Sequence, residues 1–151
     1  MKAIGFTRPL PVSNPEALLD INLPEPELRP HDILVAVQAV SVNPVDVKVR
    51  AAHTPEAGAY RVLGYDAAGI VQAVGSEVRN FKVGDEVYYA GALNRQGSNA
   101  QLQAVDARIA AKKPRLLDFA QAAALPLTAI TAWETLFDRL DVNKPVAGGA
   151  N

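Results

Sequence analysis

The chain has 151 residues, of which 49% are hydrophobic and 21% charged, and a formal net charge of -1 at pH 7. A domain near this size buries roughly 68–70% of its unfolded surface and needs no cross-links, and so balanced a charge excludes both a disordered chain and the basic footprint of a nucleic-acid binder. No cysteine is present, which removes disulfides, thiolate zinc sites and cysteine nucleophiles together.

In chain order, "MKAIGF" reads as an opening strand. It has no apolar run of signal-peptide length, and no later window reaches the roughly 18 apolar residues of a membrane span, so the expectation is a soluble, cytoplasmic protein without membrane contact. The segment "SNPEALLDINLPEPELRPHD" carries Pro24, Pro26 and Pro30, which forbid a regular helix and leave an extended, edge-like connection. "ILVAVQAVSV" has apolar residues on both parities, the pattern of a strand buried on both faces. A short helix then opens at Asn43: an Asn suits the N-cap, Pro44 the first helical position, and Asp46 the acid-favouring third.

The small residues Ala67, Ala68 and Gly69 lead into a strand that ends at Gly75, and imply close backbone packing. Gly84 and Asp85 form a tight turn before a strand over Val87 to Tyr89, and "SNAQLQAVDARIAAKKP" reads as a further strand pair. Asp118 and Gln121 have capping-box spacing, Pro126 breaks the helix, and Leu127, Ile130, Trp133, Phe137 and Leu140 make one helical stripe. That stripe predicts a buried face with Trp133 in the core. "NKPVAGGAN" reads as a linker.

The ordered set "SVNPVDVKVRA", "LGYDAAGIVQAVGSEVRNFKVGDEVYYAG", "GSNAQLQAVD" and "AAALPLTAITAWETLF" resembles the N-terminal half of the medium-chain dehydrogenase/reductase superfamily. Within it, the chain is similar to zinc-type alcohol dehydrogenases and quinone oxidoreductases of the metal-independent branch. The resemblance implies a mostly β, α+β fold: a GroES-like, partly open β-barrel over residues 1–126, with 127–151 a helix and linker toward a missing Rossmann domain. It also implies NADPH as hydride donor and a small-molecule quinone or enone as acceptor. No G-x-G-x-x-G occurs in the sequence, so the nucleotide cradle is expected elsewhere and the chain alone is expected to be inactive.

Similarity to zinc-dependent relatives places their ligands at Asn43, Tyr65 and Leu127, none of which is a zinc ligand, and no zinc is expected. Asn43 and Tyr65 are then the candidate groups for polarising the acceptor oxygen, with Thr128 and Thr131, and Asn43 again, placed beside the nicotinamide. Each has a plain structural alternative. Asp46 matches a family acid near the substrate or cofactor, but its place at the helix start is the favoured and complete explanation; Thr128 is equally a cap; Tyr65 is equally a half-buried aromatic with its hydroxyl at the surface. Asp66 is read either as half of an ion pair with an unassigned base or as a functional acid, neither favoured, while His31 and His53 are read as surface residues and Lys48 and Arg50 as a solvated face. The competing overall reading is a stand-alone GroES-like module that binds a ligand or partner without redox chemistry. Without the missing Rossmann domain, apolar surface on the last helix and along the cleft is expected to be exposed and to allow self-association as a homo-oligomer, not necessarily the family's own.

Overall fold

The computed structural model describes residues 1–140 and 142. Runs of Val, Ile and Ala bounded by Gly and Pro produce eight short strands. They are β1 (Lys2–Phe6), β2 (Leu19–Asn22), β3 (Asp32–Ser41), β4 (Arg61–Val62), β5 (Asp66–Val74), β6 (Glu86–Ala90), β7 (Leu102–Asp106) and β8 (Ala110–Lys112). The helices are α1 (Pro44–Ala52), α2 (Phe119–Ala123) and α3 (Pro126–Trp133), the last continuing as a π-helical stretch over Glu134–Arg139.

All pairings are antiparallel. Three strands form one sheet in the order β2-β1-β4, and five form another in the order β7-β3-β5-β6-β8. The Ala3–Ala100 bridge and the Ile4 N–H to Asn99 O bond of 2.8 Å tie β1 to the segment just before β7. The predicted strand pair is thus corrected: β7 and β8 lie on opposite edges, β7 on β3 and β8 on β6. Only the 3-10 turn Ala107–Ile109 separates them. Four residue steps reach at most about 14 Å, whereas five flat strands would hold their edges about 19 Å apart. The sheet therefore curls toward closure, but it is not closed into a barrel. The Pro-rich connection is extended and edge-like as expected, and part of it pairs as edge strand β2, on β1 from Leu19 to Asn22.

The main core gathers Ile33, Val35, Ala67, Val71, Val87, Tyr89 and Val105 inside the curl. Side chains alternate across a strand, so on β5 Ala67 and Val71 enter this core while Ala68 faces the other way, against Ala122 and Ala123 of α2. Asp66 shares the parity of Ala68. The small-residue run does allow close packing: a Cβ on Gly69 would lie 2.3 Å from the Ala36 carbonyl oxygen of β3. β3 is buried at its start but partly exposed toward Ser41.

The last helix departs from expectation. Ile130 is 48% exposed, Trp133 49% and Leu140 64%, so the stripe is not a core face. Leu127 and Phe137 are half-buried, and Phe137 meets Trp133 edge-on with ring centroids 4.6 Å apart. The helical periodicity is present, but the stripe lies half open at the surface instead of in the core. The predicted linker, residues 143–151, lies outside the described residues.

Candidate active site

Three elements converge where β3 ends, β5 begins and α3 begins. Asn43 is the N-cap of α1, extended at φ -125° and ψ 163°. Asp46, three residues on, accepts the Asn43 backbone N–H through Oδ2 at 2.9 Å and the Gly64 N–H through Oδ1 at 2.9 Å. Both carboxylate oxygens thus lock the start of α1 to the loop before β5, and Asp46 is buried. That loop needs glycine at position 64: its φ is +100°, and a Cβ there would lie 2.4 Å from Ser98 Oγ.

Asp66 has no exposed surface. Its Oδ2 accepts from Asn43 Nδ2 at 3.0 Å and its Oδ1 accepts the Leu127 backbone N–H at 2.9 Å. The expected ion pair is corrected: two amide N–H groups, not a base, hold this carboxylate. Burial pushes its pKa up; the bonds from Asn43 and Leu127 pull it down, and the nearby Asp46 charge pushes it up again, leaving it raised above 3.8. Because α3 opens with Pro126, the Leu127 N–H is one of the helix-start donors without an intrahelical acceptor, and Asp66 supplies one.

Asn43 and Pro44 form one wall of an open groove of about 530 Å³, and Leu127, Thr128, Thr131, Ala132, Thr135 and Leu136 the other. The structure thus brings together three predicted residues, Asn43, Thr128 and Thr131. Thr128 Oγ donates to the carbonyls of Ala124 and Leu125 at 3.2 and 3.0 Å, and Thr131 Oγ to Leu127 O at 2.8 Å. Thr128 does not cap the helix start; both hydroxyls bond back along it, with lone pairs left to accept. Tyr65 is not among the groove's lining residues. It is 3% exposed, which corrects the expectation of a surface hydroxyl, and its phenol has no hydrogen-bond partner among the described residues. Asp46 lies outside the lining as well. Arg50 is not simply solvated: its Nη1 donates to Leu10 O at 2.6 Å.

A larger cleft of about 620 Å³ lies between the sheets and shares no lining residue with the groove. Several of its polar groups are already spent, Arg95 on buried Asp32 at 2.9 Å and Gln103 on Tyr89 and on Gln96 O. It offers no link to Asn43.

The chemistry of the donor set does not suit zinc. Asn43 turns its amide nitrogen to Asp66, Leu127 has no ligating side chain, and Asp46 and Asp66 each already hold two N–H groups. Among the described residues no three His, Asp or Glu side chains are grouped to hold a metal ion.

Residues 29–115 match the alcohol dehydrogenase GroES-like domain. The chain belongs to this family, within the medium-chain dehydrogenase/reductase superfamily. It is 42% identical over 144 residues to the zinc-type alcohol dehydrogenase-like protein of Staphylococcus epidermidis, spanning 95% of this chain and 42% of that one. Against the chloroplastic NADPH-dependent alkenal/one oxidoreductase of Arabidopsis thaliana it is 41% identical over 127 residues, 78% of this chain and 33% of that one. Among solved structures, a Rhizobium etli CFN 42 protein designated a zinc-dependent alcohol dehydrogenase superposes with a TM-score of 0.91 at 59% identity, over 99% of this chain and 43% of that one. The Escherichia coli quinone oxidoreductase complexed with NADPH gives 0.78 at 29% identity, over 95% and 42%. The chain thus spans less than half the length of these relatives, which are oxidoreductases or alcohol dehydrogenase-like proteins.

The link from Asp66 to Leu127 is the part of the site that sequence reasoning missed. Its one visible signal was an acid placed directly before the apolar run "AAGIV".

Proposed function

We propose that these residues are the substrate-side catalytic domain of an NADPH-dependent quinone or enone reductase that works without zinc. The observation that carries this reading is the groove between the starts of α1 and α3. At the position resembling a metal ligand it holds Asn43, tied to a buried carboxylate, and no ligating set. Similarity to the Arabidopsis alkenal/one oxidoreductase and the E. coli quinone oxidoreductase supports the acceptor class and the cofactor. On this reading residues 1–126 form the catalytic body, and 127–151 lead to a dinucleotide-binding domain that holds the phosphates.

The donor set fits a nicotinamide. Thr128 and Thr131 offer acceptor lone pairs on one wall, Asn43 an amide on the other, and Pro44, Leu127 and Leu136 supply apolar surface for a flat ring. When bound there, NADPH supplies the hydride, the difficult part of the chemistry. The chain's own contribution is orientation, exclusion of water, and polar groups aimed at the oxygen that gains charge. Asn43 lines the groove and takes that role through the Nδ2 proton that Asp66 does not hold, whereas Tyr65 is buried outside the lining.

The experiment follows nicotinamide absorbance with NADPH and a panel of quinones and enones. It compares the 151-residue chain with a longer polypeptide joining it to its dinucleotide-binding domain. The expected result is turnover by the longer polypeptide and none by the chain alone. A longer polypeptide that binds NADPH but reduces no acceptor would refute the reading in favour of a binding module.

A further inference from the structure

We infer that Asp66 is the positioning residue of the groove, one carboxylate that fixes the direction of the Asn43 amide and the seat of α3 at once. It rests on the groove being the reactive site, as proposed above. The groove's two walls belong to different elements, with Asn43 and Pro44 at the start of α1, and Leu127, Thr128 and Thr131 at the start of α3. These walls meet no common residue along the sequence, yet both hang on Asp66 of β5, 23 positions from Asn43 and 61 from Leu127.

The polarity of this arrangement is forced. An ionised carboxylate only accepts, so the Asn43 amide must turn Nδ2 toward it. The Leu127 N–H is a backbone donor that cannot be reversed, and α3 follows Pro126 directly. Asp66 has no exposed surface, so water cannot replace either bond without moving a wall. Among the described residues, the other ionisable group acting on Asp66 from a packed element is Asp46 of α1, itself engaged by Asn43 and Gly64 N–H groups.

Substitution therefore separates seating from polarity. In Asp66→Asn the new side chain has one oxygen, which Leu127 must take, and the new amide nitrogen then faces Asn43 Nδ2. Two donors cannot bond, so the Asn43 amide has to flip and present its nitrogen edge differently to the groove. Adding Asn43→Asp to Asp66→Asn supplies an acceptor at position 43 without a flip, a pair of reversed polarity that seats α1 without the original amide.

The test uses NMR of the 151-residue chain, reading the Asn43 Nδ2 proton pair and hydrogen exchange at the Leu127 amide. Expected are a displaced Asn43 pair with a still-protected Leu127 amide in Asp66→Asn, and Leu127 exchange faster by roughly tenfold or more in Asp66→Ala. The double variant is expected to regain the melting temperature of the parent chain. An Asn43 resonance pair unmoved in Asp66→Asn, or Leu127 exchange unchanged in Asp66→Ala, overturns the inference. If Asp66→Ala does not fold, the Asp66→Asn arm decides alone. In the longer polypeptide, positioning predicts that Asp66→Asn lowers kcat more than it raises KM, and that the double variant, though refolded, does not regain kcat. Displaced resonances with unaltered kcat would leave Asp66 as the positioning residue and refute the groove as reactive site instead.

Discussion

Asp66 should hold its proton to a higher pH than an ordinary aspartate, because burial outweighs its two amide partners. A carboxyl-carbon titration should place its midpoint above 3.8, and a midpoint at or below that value contradicts the geometry. The linkage has a definite sign. Since the folded pKa is the higher one, this group's contribution to stability is greatest below the unfolded value and is lost as pH rises through the folded value. Asp106 works the other way. Held low by hydrogen bonds from the Arg108 side chain and backbone, it contributes above its unfolded pKa and loses that contribution as the solution is acidified. A second residue-scale prediction concerns Tyr89, whose buried hydroxyl donates to Gln103 Oε1 at 2.8 Å. Tyr89→Phe leaves that oxygen unpaired and should cost about 1–3 kcal/mol in urea denaturation. At this scale the sequence made local partners visible and distant ones invisible. Asn43, Pro44 and Asp46 lie within one helical turn, so spacing alone revealed the α1 start. The partners of Asp66 are brought to it only by folding.

Among elements, strand positions were legible because Val and Ile runs end at Gly and Pro, but partners were not. β7 and β8 follow one another in sequence and would pass for a hairpin; the curl of the sheet carries them to opposite edges. β2 was obscured by the prolines around it, which are compatible with an edge strand, not with an interior one. The small-residue run of β5 could be read correctly because only glycine permits the approach seen at Gly69. Gly69→Ala forces its Cβ against the Ala36 carbonyl, a contact of 2.3 Å with backbone that cannot rotate away. It should lower stability by about 2–4 kcal/mol, read as a fall in melting temperature, whereas Ala68→Gly should act mainly through lost packing on α2. At α2, both halves of the predicted capping box are present, the Gln121 N–H on Asp118 at 2.7 Å and the Asp118 N–H on Gln121 at 3.1 Å. Asp118→Ala should therefore cost about 1 kcal/mol.

For the molecule as a whole, periodicity announced an apolar helical stripe but could not say what faces it. Ile130, Leu136 and Leu140 are exposed, as are Val40, Val42 and Val47 near the other wall of the groove. Apolar surface gathered in this way favours association in water. The chain should self-associate in a concentration-dependent manner by light scattering, and Ile130→Glu with Leu140→Glu should shift it toward monomer without changing its melting temperature by more than a few degrees. A monomer at all concentrations before substitution would count against that reading. The largest claim is that reduction at this groove proceeds through orientation and amide dipoles, with no ion at Asn43. The direct measurement is NADPH oxidation with a quinone or enone acceptor by the longer polypeptide, before and after exhaustive chelation and then with zinc added. The account predicts the same rate in all three. A rate lost on chelation and restored by zinc would contradict it.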